Sequence, residues 1–320
     1  MTLSTGTSPK LINAEQVRQS LAWLPLIEAL RQQFVEGCVM PVRHHHDIAV
    51  ADQTNATLLL MPAWIEGRYL GVKQVSVFPD NSNHQLPTIN GSYLLSCGKT
   101  GQLLAMIDAP ALTVRRTAAA FVLAAGFLAR PDSKHLLMVG TGALSANFIE
   151  AYAAAFELQQ ISLWGRDIDK AEQLSQRLRS QGLPVTAVED LQQQCGQADI
   201  ISCATLSKQP LINGQWLSPG THVDLVGGFK PDMREADDTV INRADLYVDT
   251  RDGACKEAGD IVIPLQQGLI SPDDIKADLY QLCRQQRQGR SNTEAITLFK
   301  SVGAALEDLA AAIMVYQHSS

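Results

Sequence analysis

The sequence predicts an α/β protein, a doubly wound Rossmann parallel sheet inserted in an α+β domain. Three observations carry this. Lys134–Asp167 reads as strand, glycine turn, helix, strand. Strand and helix patterns then alternate as far as Val248, whereas the first third has hairpin-like strands instead. Finally, Thr293–Tyr316 reads as one long amphipathic helix beyond the sheet, free to return to the first part of the chain. The implied domains are 1–115 plus 293–320, discontinuous, and 116–292, the Rossmann domain.

Residues Met1–Pro9 read as a loose tail. Asn13 caps a helix over Ala14–Ser20 with Gln16 at the capping-box position, and a second helix, Leu24–Glu36, stops at Gly37. The periodicity then changes to that of strands: Thr57–Met61, Tyr69–Phe78 and Asn90–Ser96, with Gly98–Gly101 as a hairpin turn into Gln102–Asp108. Thr113–Leu128 is an Ala-rich helix closed by Arg130, Pro131 and Asp132. Leu136–Val139 is a short apolar run suited to a buried parallel strand, Ala143–Leu158 is helical, and Ile161–Trp164 is the next strand. Asp169–Gln181 and Leu191–Cys195 are helices. Pro184–Val188, Asp199–Cys203, His222–Val226 and Ala244–Val248 are strands.

Gly140-Thr141-Gly142 follows its strand at once. The first glycine allows the tight turn, and the second lets backbone approach a pyrophosphate held on a helix N-terminus. Ser145 stands where the fingerprint has its third glycine, and a small residue still permits close helix–strand packing. The second strand ends Trp164-Gly165-Arg166-Asp167. An acid there would select the ribose hydroxyl of NAD; Gly165 takes that place, and the Arg166 guanidinium can fork onto the 2′-phosphate of NADP. NADPH is therefore the expected cofactor, with Asp167 keeping NADH possible.

The chain has 320 residues, 46% hydrophobic and 18% charged, which is globular composition with room for two domains. A formal net charge of −7 without a basic block argues against nucleic acid as partner. Six cysteines without C-x-x-C spacing fit buried thiols in a reducing cytoplasm. The N-terminus lacks signal-peptide character. The longest apolar run, Ala118–Ala129, is short of the roughly 20 residues a membrane span needs, so no membrane partner is expected.

Strand alternation puts Lys73 on one face with Gly71, Val75 and Val77. An ammonium among valines needs an anionic partner, such as a substrate carboxylate, or serves as a proton donor of lowered pKa; the alternative is an edge-strand lysine that blunts aggregation. Arg43 offers a fork for a carboxylate. The neighbouring His44, His45 and His46 point different ways on a strand, so no metal site is expected. Arg115 and Arg116 open a helix that can face a cleft between the domains, Thr117 adds a hydroxyl, and Arg115 is assigned a surface acid as partner. Asp224 and Thr205 lie at the carboxyl edge of the sheet, where ligands bind.

Several strings together resemble the ornithine cyclodeaminase/mu-crystallin family: Pro41–Arg43, Gly71–Lys73, Leu86–Thr88, Val114–Ala119, Gly140–Gly142, Val223–Gly227, Tyr247–Asp249 with Lys256–Asp260, and Phe299–Gly303 with Glu307 and Asp308. They span nearly the whole chain in the family's order. The resemblance implies a Rossmann domain inserted in a dimerisation domain, and a homodimer. It implies that Arg43 and Lys73 hold the substrate carboxylate and that Arg116 lies between substrate and cofactor. Thr88, Thr117, Ala143, Leu144, Thr205 with its neighbour Leu206, Val226 and Ser301 match cofactor-contacting positions, and Arg166 matches an NADP-selecting arginine. Cyclodeaminases carry a catalytic aspartate directly after the Gly-Gly pair and a lysine four residues later; here Phe229 and Met233 stand there. The expected activity is therefore reduction of a C=N bond in a cyclic imino acid, Δ1-pyrroline-2-carboxylate or its piperideine homologue, with Lys73 as acid and Asp224, through water, as the reserve. An alanine dehydrogenase, an ornithine cyclodeaminase and a non-catalytic small-ligand binding protein are the alternatives.

Overall fold

The computed structural model describes residues 8–228 and 230–319. The expected loose tail falls mostly on residues 1–7, and the Phe229 departure on residue 229; both lie outside the described residues.

The chain opens with β1 (Lys10–Ile12), α1 (Ala14–Ser20) and α2 (Trp23–Glu36). It runs through β2 (His44–Ile48), β3 (Ala56–Ile65), β4 (Tyr69–Val77), β5 (Ile89–Cys97) and β6 (Leu103–Asp108) into α3 (Ala109–Leu128). Next come β7 (His135–Val139), α4 (Ser145–Ala155), β8 (Gln160–Trp164), α5 (Ile168–Arg179), β9 (Val185–Val188), α6 (Leu191–Gln197), β10 (Ile200–Cys203) and β11 (His222–Leu225). The last stretch holds α7 (Asp238–Arg243), β12 (Ala244–Val248), α8 (Arg251–Glu257), α9 (Gly259–Gln266), β13 (Ile275–Asp278), α10 (Leu279–Cys283), β14 (Ile296–Lys300) and α11 (Ala305–His318). Two compact units result: residues up to Arg116 with those from Ala305 onward, and Thr117–Ala304.

In the first unit the six strands run β1-β6-β5-β4-β3-β2, antiparallel except for β1 beside β6. The Asn13–Gln16 capping box forms in both directions, and α2 stops where Gly37 takes a φ of +79°. α11 packs on α2 and across β3, β4, β5 and β6. β4 is an interior strand, hydrogen-bonded on both sides, so Lys73 is not an edge lysine.

In the second unit the eight strands are all parallel, in the order β13-β12-β14-β11-β10-β7-β8-β9. The order reverses between β7 and β10, and that switch point is where a doubly wound sheet receives a ligand. Leu137, Val139, Ile201, Val223, Leu225 and Leu298 fill the core beside it.

Two expectations need correction. Thr293–Tyr316 is not one helix: Ile296–Lys300 is β14, wholly buried between β11 and β12, and only Ala305–His318 is helical. A strand buried on both faces shows a continuous apolar run, which periodicity alone does not separate from a helix. The inner unit accordingly closes at Ala304 rather than at 292. Second, α3 as formed has 20 residues and is long and apolar enough, by length and composition, to cross a membrane. Its residues Ala118–Ala125 are buried, as in a core helix.

Candidate active site

The first unit gathers four charges in its interior. Lys73, Arg116, Glu307 and Asp308 are all buried, Lys73 at 3% exposure. Lys73 Nζ lies 2.6 Å from Asp308 Oδ2. Arg116 donates from Nε to Asp308 Oδ1 at 2.9 Å and from a terminal nitrogen to Glu307 Oε2 at 2.6 Å. Asp308 thus bridges the lysine and the arginine. Local rules bring these groups together: strand alternation aims Lys73 to the helix-covered face, and α11 presents adjacent acids to it. Burial pulls the Lys73 pKa down to about 8; Asp308 opposes the change, while the cations of Arg116 and Arg43 add to it. Desolvation works against charge on Asp308 too, yet Arg116 and Lys73 outweigh it and hold that carboxyl below the ordinary aspartate value. The ammonium is therefore kept charged near neutrality but poised to release its proton just above it.

Arg43 is half-buried and close enough for its charge to act on Lys73. Tyr93, the cross-strand partner of Lys73, is buried, and desolvation pushes its phenol well above its ordinary value. Its hydroxyl lies where a Cβ on Gly71 would sit, which explains the glycine. Arg115 donates to the Arg18 and Leu21 carbonyls and stacks 3.8 Å from the Trp23 ring centre, contacts that its expected pairing with a surface acid did not include. Thr88 is half-buried, its carbonyl accepting from the Phe78 amide. His44, His45 and His46 lie exposed along β2, and among the described residues no three His, Cys, Asp or Glu side chains converge as a metal would require.

The second unit carries its own candidate nucleotide site. Gly140 has a φ of +118°, and a Cβ there would collide with the Ala204 carbonyl. Gly142 opens onto free space, as close approach by a phosphate needs. The Ser145 amide donates to the Gly142 carbonyl, and no side chain caps α4, so no side chain competes with an anion at this helix end. The Ser145 hydroxyl donates to the Gly140 carbonyl and fixes the turn. An open hollow of about 640 Å³ lies beside it, lined by Thr141, Gly142, Ala143, Asn147, Lys170 and Arg177, and Leu144 precedes the helix. These features fit a dinucleotide. At the end of β8, Gly165 packs against Thr141, Arg166 is exposed, and the Asp167 carboxylate caps α5 by accepting from the Lys170 amide. Val139, Cys203, Leu225, Lys300 and Val248 pair in one register. Thr205, Val226 and Ser301, which follow them, therefore share the carboxyl edge with the glycine turn. Thr117 is half-buried, Leu206 is 77% exposed, and the Ser301 hydroxyl donates to Asp249.

Asp224 does not serve as a reserve acid. It is fully buried inside the sheet layer, one oxygen accepting from the Tyr152 hydroxyl and the other 3.0 Å from His222 Nε2. Its strand-end position suggested the cleft, but residues of one strand alternate faces, and this one faces α4. The acids that matter, Glu307 and Asp308, were not singled out as site residues. The signal was there: two adjacent acids in the otherwise apolar run Ala304–Val315 must be paired if that run is buried.

The model of the ornithine cyclodeaminase/mu-crystallin family matches residues 10–320. The chain is 39% identical to the Δ1-pyrroline-2-carboxylate reductase of Paracoccus denitrificans, with 95% of each chain covered. Among solved structures it resembles the Δ1-pyrroline-2-carboxylate reductase of Thermococcus litoralis in complex with NADH and L-proline, with a TM-score of 0.90, 30% identity and 96% of each chain covered. It also resembles an archaeal alanine dehydrogenase dimer with bound NAD, with a TM-score of 0.87, 26% identity, and 97% of this chain and 95% of that one covered.

Proposed function

The chain belongs to the ornithine cyclodeaminase/mu-crystallin family, and from that premise we propose that it is an oxidoreductase that reduces a cyclic ketimine carboxylate with a nicotinamide cofactor. The substrate is Δ1-pyrroline-2-carboxylate, giving L-proline, and the six-membered homologue gives L-pipecolate. The observation that carries this is the buried Lys73, held charged by Asp308 and pulled toward neutral pKa by its surroundings.

When bound, the reduced nicotinamide supplies a hydride to the imine carbon. The chain's own residues do the rest. Arg43 meets the substrate carboxylate. Lys73 holds a proton for the ring nitrogen, because an iminium accepts hydride more readily than a neutral imine. Asp308 orients the ammonium and stabilises its charge, while Arg116 and Glu307 fix Asp308 in turn. Cyclodeamination of ornithine is disfavoured because Phe229 and Met233 replace the acid and lysine of that chemistry.

The pH dependence follows with a definite sign. The donor must be protonated, so kcat/KM for imine reduction holds steady below about 8 and falls as pH rises through that value. The reverse oxidation of L-proline gains over the same interval. Initial rates in both directions check this, and a reductive rate that rises through pH 8 contradicts it.

We further propose a preference for NADPH. With Asp167 engaged in capping α5, Arg166 is the side chain at the end of β8 open to a 2′-phosphate. Arg166→Ala is expected to raise the NADPH KM about tenfold, as loss of a charge-assisted hydrogen bond would, and to leave NADH nearly unchanged. An equal effect on both cofactors would refute the assignment. A homodimer is also proposed. The paired residues Leu11, Met106, Leu94, Val72 and Pro62 form an apolar row on the sheet face opposite Lys73, with Leu11 and Met106 exposed, and this row is the proposed face for a second copy; the similar archaeal alanine dehydrogenase is a dimer. The six cysteines are free thiols, in keeping with the proposed cytoplasmic setting.

A further inference from the structure

A second buried charged cluster lies in the Rossmann unit. Glu235, Asp260 and Lys300 are all at 0% exposure. Glu235 Oε1 accepts from the Thr205 amide at 2.7 Å and from the Thr205 hydroxyl at 2.8 Å. Asp260 Oδ1 accepts from the Glu235 and Ala236 amides at 2.8 and 3.2 Å. Its other oxygen lies 3.1 Å from Lys300 Nζ, which also donates to the Gly227 carbonyl. The three side chains therefore tie the turn after β10 to the turn after β11. The glycines add to the fit: a Cβ on Gly227 would collide with the Thr205 carbonyl and stand 2.6 Å from Glu235 Oε1, and one on Gly228 would collide with Asp260.

Three ionisable groups in so dry a place are costly, and apolar side chains would fill it more cheaply. What the polar groups supply is direction: one Glu235 oxygen fixes two donors of one residue, which packing alone does not. Topology indicates what needs that direction. The end of β8 reads the adenosine ribose and the turn after β7 takes the pyrophosphate, so the other half of a dinucleotide extends across the switch point, over β10 and β11. Thr205 and Gly227 stand at the ends of those two strands.

We propose that Glu235 is a positioning residue for the cofactor, fixing through Thr205 the turn that receives the nicotinamide half of the dinucleotide. The proposal rests on the nucleotide-binding reading above. It separates the two halves of the cofactor, and so does its test. Equilibrium titrations with NADH and with ADP-ribose, which lacks the nicotinamide ring, are made on wild type, Glu235→Ala, Glu235→Gln and Thr205→Val. Glu235→Ala is expected to weaken NADH binding about tenfold, the effect of losing the two buried hydrogen bonds that hold Thr205, with ADP-ribose affinity and the imine KM unchanged. Glu235→Gln keeps an acceptor oxygen for both Thr205 donors and stays near wild type. Thr205→Val, a gentler change should the alanine variant not fold, loses one donor and shows a smaller loss confined to NADH. Amide hydrogen exchange of the cofactor-free protein is expected to quicken at Thr205 in Glu235→Ala. Equal weakening of NADH and ADP-ribose, or NADH affinity unmoved by either Glu235→Ala or Thr205→Val, overturns the positioning role. A wild type that binds none of ADP-ribose, NADH and NADPH overturns the nucleotide reading itself, and the proposal with it.

Discussion

Lys73→Ala loses most of its turnover: kcat for imine reduction falls by about 10²–10⁴-fold, the range expected on removal of a general acid, while nicotinamide binding survives. The reasoning is local. Lys73 sits on an interior strand at 3% exposure, against Asp308 and close to the charges of Arg116 and Arg43. With Arg43 proposed to meet the substrate carboxylate, the imine KM is expected to change less than kcat. Lys73→Arg keeps the positive charge but has no pKa near neutrality to offer, so it should recover some substrate affinity and little rate. The falling limb of the pH profile near 8 disappears in both variants. Stopped-flow measurement of NADPH oxidation, together with a cofactor titration, checks the claim; near-normal turnover in Lys73→Ala removes this residue from the mechanism.

The largest effect on stability is expected at Asp308. Asp308→Asn keeps the shape and deletes the charge, leaving the Lys73 ammonium buried without its counter-charge and Arg116 with only Glu307 of its two paired carboxylates. Breaking a buried pair in this way costs about 3–5 kcal/mol, to be read as a lower urea midpoint. Adding Lys73→Met removes the stranded ammonium and is expected to restore part of that stability with no activity, so that stability and rate separate. The pH dependence of unfolding has the matching sign. Asp308 has its folded pKa held below the ordinary 3.8, so its stabilisation is present above that value and is lost as pH falls below it. Lys73 is shifted down from 10.5 to about 8, so its charged form is the unfavourable one, and stability increases as pH climbs from about 8 to 10.5. A double variant no more stable than Asp308→Asn would show that the ammonium is not the source of the penalty.

What was legible in the sequence was mostly local. The Asn13–Gln16 capping box, the Gly140–Gly142 turn with its flanking strand and helix, and the alternation that turns Lys73 inward each depend on neighbours within a few residues. Pairings across the chain were not. Ile296–Lys300 runs straight on toward a small-residue helix and reads as part of it, because only its place between β11 and β12 makes it a strand. Asp224 lies at the right strand end but on the wrong face; His222 is its neighbour on the same face of β11, and its Tyr152 partner comes into view only when α4 is packed. Lys73 needs an anion, which the sequence stated; that the anion is Asp308 follows only from α11 lying across β4. The Glu235, Asp260 and Lys300 cluster is the extreme case, since each member sits in a different element or loop and none has a local signature.

The most direct test of the central claim is consumption of NADPH, with NADH run alongside, by the purified protein with Δ1-pyrroline-2-carboxylate, beside pyruvate with ammonia. A reductase built around Lys73 and Asp308 consumes the cofactor with the cyclic imine and releases L-proline, at a kcat/KM far above that for pyruvate. Steady oxidation with pyruvate and ammonia but none with the cyclic imine, or no oxidation with either, contradicts it.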